Sequence, residues 1–83
     1  ALSYTNITDL AIEYFIKCDF KQLQEFYLNN TQITDLSIKY LTNCDLKELL
    51  RLDLKNTQIT DVAIEILFYC DFKHLSYLNL SFT

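Results

Sequence analysis

Apolar residues change their spacing at regular intervals along this chain, and each change predicts an element. Phe20, Leu23, Phe26 and Leu28 recur as Leu46, Leu49, Leu52 and Leu54, and again as Phe72, Leu75, Leu78 and Leu80. The last two of each set stand two residues apart, the spacing of the inward face of a short strand. Upstream, Ile12 and Phe15, matched by Ile38 and Leu41 and by Ile64 and Leu67, stand three apart, as on one side of a helix. Each pass therefore reads as strand, corner, helix and return.

The recurrence has a fixed step of 26 residues, which divides the chain into copies at 5–30, 31–56 and 57–82, with a partial copy at 1–4 and the start of another at 83. Ten columns are identical in all three copies: Thr5/Thr31/Thr57, Ile7/Ile33/Ile59, Thr8/Thr34/Thr60, Asp9/Asp35/Asp61, Ile12/Ile38/Ile64, Cys18/Cys44/Cys70, Asp19/Asp45/Asp71, Lys21/Lys47/Lys73, Leu23/Leu49/Leu75 and Leu28/Leu54/Leu80. Self-similarity at this period signals a stacked array in which each unit buries its apolar face on the next. The whole of 1–83 is expected to form one such array. Ala1-Leu2 opens midway through a strand motif and Thr83 opens a further copy, so the array is read as part of a longer chain or larger complex.

Polar columns supply the punctuation. The chain has no Gly and no Pro, so its corners must be turned by Asn, Asp and Thr, whose side chains bond nearby backbone and tolerate unusual dihedrals. Thr8, Thr34 and Thr60 stand where helix N-caps belong, and Asp9, Asp35 and Asp61 follow them at the electropositive helix start. These columns read as structural.

The stretch Leu49-Leu50-Arg51-Leu52-Asp53-Leu54-Lys55-Asn56-Thr57 has the pattern L-x-x-L-x-L-x-x-T, which the other copies share. It resembles the leucine-rich-repeat family. Gln58-Ile59-Thr60-Asp61 with Cys70 looks like the cysteine-containing subclass, but Thr stands where that subclass usually has Cys, and only one residue separates it from Ile. In that detail the chain is similar to the T-x-I-T-D repeats common in bacterial arrays. The resemblance implies an α/β solenoid, with parallel strands on a concave face, helices on a convex face, and binding through the concave side. Thr5, Thr31, Thr57 and Thr83 are expected to form a hydroxyl ladder in a buried corner, since a hydroxyl both donates and accepts.

Composition narrows the function classes. Net charge is −4, from 11 acidic and 7 basic residues without a basic cluster, which argues against nucleic acid as a partner. Charged residues are spread too evenly for a membrane span, and Ala1 to Asp9 carries no signal-peptide pattern. The three cysteines share one column, without the close ligand pairs of a zinc site, and are expected to be small buried residues at the inner side of the helix ends. No metal and no cofactor is expected. Reduced thiols point to an intracellular, cytoplasmic setting. Against it stand three glycosylation triplets, Asn6-Ile7-Thr8, Asn29-Asn30-Thr31 and Asn79-Leu80-Ser81, a short motif that an Asn- and Thr-rich chain produces by accident. His74 replaces Gln22 and Glu48 in its column, has no nucleophile beside it and reads as surface-polar, so no enzymatic activity is expected.

Residues alternating away from the strand core are expected on the concave face: Glu25, Tyr27 and Asn29, then Arg51, Asp53 and Lys55, then Tyr77, Asn79 and Ser81. Here the copies stop agreeing, as a surface adapted to an irregular partner would. The expected function is protein–protein interaction or scaffolding within a longer leucine-rich-repeat protein, the partner being another protein. Alternatives are the substrate-recognition repeats of an F-box ubiquitin ligase and a regulatory array attached to an enzyme domain. Tyr27, Arg51, Asp53 and Tyr77 are the residues expected to carry binding, because tyrosine and arginine dominate interface energetics.

Overall fold

The computed structural model describes residues 7–18, 22–43, 46–70, 72 and 74–81. Helices and strands alternate: α1 (Asp9–Phe15), β1 (Glu25–Tyr27), α2 (Asp35–Thr42), β2 (Arg51–Asp53), α3 (Asp61–Phe68) and β3 (Tyr77–Asn79). The strands form a parallel sheet in the order β1-β2-β3, in register, so that Glu25, Arg51 and Tyr77 lie side by side, as do Tyr27, Asp53 and Asn79. Each helix packs on the helix of the adjoining unit and each strand on the adjoining strand, giving one layer of helices and one of strands.

The core lies between the layers. Phe26 and Leu52 enter it from the strands, Leu28 and Leu54 from just beyond them, and Ile12, Ile38 and Leu41 from the helices. Phe15 and Phe26 stack across the layers, with ring centroids 5.2 Å apart. The third unit departs from the expected pattern, because Leu52 is 1 % exposed whereas Leu78 in the same column is 43 % exposed. Ile64 and Leu80 are half-buried for the same reason. Among the described residues, nothing packs on the outer side of that unit.

Asparagine replaces glycine in the turns. Asn30 and Asn56 adopt φ of 61° and 54°, the left-handed region that a short polar side chain tolerates best after glycine. Their side chains pair, Asn56 Nδ2 donating to Asn30 Oδ1 at 2.7 Å. Their backbone amides reach the next unit, Asn30 to the Lys55 carbonyl and Asn56 to the Ser81 carbonyl. One residue type thus turns the chain and joins the copies.

The threonine column that precedes each corner is wired differently from the expected ladder. Thr31 Oγ1 donates to the Leu28 carbonyl at 2.7 Å and Thr57 Oγ1 to the Leu54 carbonyl at 2.9 Å, each within its own unit. Thr5 and Thr83 lie outside the described residues. Because Thr31 is buried and Thr57 only half-buried, Thr31→Val is expected to cost about 1–3 kcal/mol by stranding a buried carbonyl. Thr57→Val should cost less. Equal midpoints for wild type and Thr31→Val in urea unfolding would refute the assignment.

Between units, the polar join runs through the adjacent Thr-Asp pair. Asp9 accepts from the Thr34 amide at 2.9 Å and the Thr34 hydroxyl at 2.6 Å, and the Ser37 hydroxyl also donates to it. Asp35 repeats the arrangement with the Thr60 amide at 2.7 Å and the Thr60 hydroxyl. With its proton committed to the carboxylate, each threonine oxygen is left as an acceptor and caps its own helix, from the Leu36 and Val62 amides at 3.3 Å. Thr8 makes no side-chain cap bond. The aspartates, expected only to complement the helix dipoles, thus also stitch one helix start to the next.

That stitching predicts acid sensitivity. Burial acts against ionisation of Asp9, but the hydrogen bonds from Ser37 and Thr34 outweigh it and hold its carboxyl below the ordinary 3.8. A carboxyl depressed in the folded state contributes stability above its unfolded value, and that contribution is lost as pH falls through the folded value. Wild type is therefore expected to lose more stability than Asp9→Asn between neutral pH and about pH 3. Parallel losses in thermal melts of the two would refute this.

Candidate protein-binding face

Strand alternation fixes which side chains leave the sheet on the solvent side, since successive residues point to opposite faces. Phe26 and Leu52 point inward; Glu25, Arg51 and Tyr77 are exposed, and Tyr27, Asp53 and Asn79 are half-buried. Asn29, Lys55 and Ser81 lie beyond the three-residue strands, with Asn29 and Lys55 on turns. The structure thus brings the expected residues to one face in two complete rows and a looser third.

Those rows form a connected chain of contacts. Tyr27 donates its hydroxyl to Glu25 Oε2 at 3.1 Å, and Arg51 Nε stands 3.4 Å from the same oxygen. The Arg51 guanidinium lies over the Tyr77 ring, 5.7 Å from its centroid, and Asn79 Nδ2 donates to the Tyr77 hydroxyl at 3.4 Å. Desolvation first, then the bond to Glu25 and its charge, raise Tyr27 above the ordinary 10.0, so its hydroxyl stays protonated as a donor. The ion pair is exposed on both sides and adds little stability. It holds Arg51 between a carboxylate and a ring, which reduces the freedom lost on binding.

Asp53 and Asn79 have a second task that the alternation pattern does not reveal. Asp53 Oδ1 accepts from the Lys55 amide and Asn79 Oδ1 from the Ser81 amide, each at 3.0 Å. These are Asx turns that bend the chain off the strand. Asp53 is therefore committed in part to its own backbone, and Tyr27, Arg51 and Tyr77 are the better-placed binding groups.

A family model for leucine-rich repeats in two copies matches residues 21–67, more than half of the chain. The chain belongs to the leucine-rich-repeat family. No curated protein and no solved structure matches it at a significant level. Leucine-rich repeats are generally protein-interaction modules. Among the described residues, no group of three His, Cys, Asp or Glu side chains is placed to hold a metal ion, and no helix is long and apolar enough to cross a membrane.

The cysteine column in these leucine-rich repeats does not sit where it was expected. Cys18 is exposed and Cys70 half-buried, its Sγ 3.5 Å from the Ile66 carbonyl; Cys44 lies outside the described residues. Extending the helical period to Cys18 would place it inward, but α1 ends at Phe15 and the chain has already turned away. Burial raises the Cys70 thiol above its ordinary 9.0. A thiol reagent at neutral pH should accordingly modify Cys18 of the native protein well before Cys70, as peptide mapping after brief labelling would show. Faster modification of Cys70 would contradict this placement.

Two further features escaped the pattern of columns. The Thr-Asp stitch was signalled by the invariance of two adjacent polar residues, more than capping alone requires. A pair of apolar columns on the helices, Leu10/Leu36/Val62 and Tyr14/Tyr40/Ile66, also lay in plain view in the copies but off the core-facing positions.

Proposed function

We propose that this chain is a protein-interaction or scaffolding segment of a longer leucine-rich-repeat protein, and that it binds another protein through its sheet face. Its units are of the T-x-I-T-D type related to the cysteine-containing subclass. In the solenoid that such units build, the sheet face is concave and the helices convex.

One observation carries the reading. Leu28/Leu54/Leu80 is identical in every unit and Phe26/Leu52/Leu78 is uniformly apolar, whereas the side chains displayed above them are Glu25/Arg51/Tyr77 and Tyr27/Asp53/Asn79, different in each. Packing demands sameness from unit to unit; a surface shaped to one partner does not. The working residues are Glu25, Tyr27, Asn29, Arg51, Asp53, Lys55, Tyr77 and Asn79, with Tyr27, Arg51 and Tyr77 as anchors. Free thiols fit an intracellular, cytoplasmic protein. The test is a comparison of partner affinity between sheet-face substitutions and the helix-face substitutions Glu13→Ala and Lys39→Ala, in the complete polypeptide. Loss confined to the helix-face set would reverse the assignment.

A further inference from the structure

A second surface stands apart from the sheet face. Leu10, Leu36 and Val62 occupy the same position near the start of α1, α2 and α3 and are 59 %, 44 % and 50 % exposed. Four residues later on each helix, and so on the same side, come Tyr14, 63 % exposed, and the half-buried Tyr40 and Ile66. Because the helices pack side by side, these positions line up as an apolar ridge across all three. A column in a repeat stays apolar when it packs against something. Tyr40 and Ile66 lean on the core, but Leu10, Tyr14, Leu36 and Val62 stand outside it, while the column beside them is polar: the half-buried Glu13 and the exposed Lys39 and Glu65. A contiguous apolar patch of this kind marks an interaction site.

Charge indicates what fits there. The three helices carry five carboxylates, Asp9, Glu13, Asp35, Asp61 and Glu65, against the single cation of Lys39. Asp9 and Asp35 are bonded to the neighbouring unit, and the Lys17 ammonium just past α1 lies 5.3 Å from the Tyr14 ring centroid. The helices' net −4 equals that of the whole chain, whereas the sheet face balances Glu25 and Asp53 with Arg51 and Lys55. The ridge also offers side chains but no open backbone edge, since the Leu36 and Val62 amides of the first turn are taken by the Thr34 and Thr60 hydroxyls and later helical amides are paired internally. An occupant must therefore satisfy its own backbone and bring apolar side chains flanked by positive charge. We infer that the helix ridge Leu10–Leu36–Val62 docks a basic amphipathic helix of a partner protein, laid across α1 to α3.

The inference does not depend on the sheet face and is tested separately. The probe is a synthetic ~18-residue peptide with Leu and Lys at amphipathic helical spacing, against the same residues shuffled to destroy that spacing. Binding to the complete polypeptide is followed by fluorescence anisotropy. The patterned peptide should bind at least about tenfold more tightly than the shuffled one, and Leu36→Glu with Val62→Glu should remove most of that difference. Glutamate is chosen because its added charge alone would strengthen attraction to a basic peptide, so a loss reports the apolar contact. Leu36→Gln with Val62→Gln is the second pair, used if the glutamates lower the melting temperature. Tyr27→Ala with Tyr77→Ala should bind the peptide as wild type does. Equal binding of both peptides, or retention in both ridge variants, would overturn the inference. So would sedimentation showing a dimer that the ridge variants dissociate, since a second copy would then cover the ridge, or preferential binding to phosphatidylcholine vesicles.

Discussion

Truncating Leu52 to alanine is expected to remove about 2–5 kcal/mol of stability, the cost of deleting a fully buried leucine and leaving a cavity. Leu52 sits in the central strand, flanked in register by Phe26 and Leu78, and is closed off on both sides. Against a total stability of about 5–15 kcal/mol for a small domain, that is a large fraction. Leu78→Ala, in the same column, is expected to cost under about 1 kcal/mol in the 83-residue chain, because a half-exposed side chain leaves no closed cavity. Urea titration of both variants decides the matter. Equal losses would show that a leucine in this column is held by its own unit and not by its neighbours, contrary to the stacking argument.

The Tyr27→Ala, Tyr77→Ala double variant should bind the natural partner about 30-fold or more weakly than wild type. The two tyrosines lie at opposite ends of the face, one held by Glu25 and the other against Arg51, so both present their rings in fixed positions. Tyrosine supplies a large contact area with little rotamer entropy to lose, which is why its truncation is costly at an interface. Thermal stability should change little, since neither side chain enters the core. Glu13→Ala and Lys39→Ala, on the helices, should leave this complex intact. Calorimetry with the purified partner separates the outcomes: wild-type affinity in the tyrosine variant would remove the sheet face as the binding surface.

Much of the fold and of the site's layout follows from local spacing. Leu28 and Leu54 recur two residues after Phe26 and Leu52, and Ile38 recurs three before Leu41, which is enough to name the elements and orient them. The adjacency of Glu25 with Arg51, and of Asp53 with Tyr27 and Asn79, also followed, because units of equal length must pair in register. Residue type alone misplaces Cys18: free cysteine is among the most buried residues, which puts it at the inner side of the helix end, but α1 stops at Phe15 and Cys18 is exposed.

The sequence by itself determined the period, the alternation of helix and strand, the core columns and the residues displayed on the sheet, because each depends only on spacing within about one unit. Tertiary structure alone decided which polar groups meet across units. Thr31 and Thr57 could have bonded their neighbours but reach carbonyls three residues back, while Asp9 and Asp35 cross to Thr34 and Thr60 in the next unit. A hydroxyl or carboxylate has several partners within reach of its position in the chain. Which one it takes depends on distances set by helix packing, and on which backbone groups that packing has already removed from water.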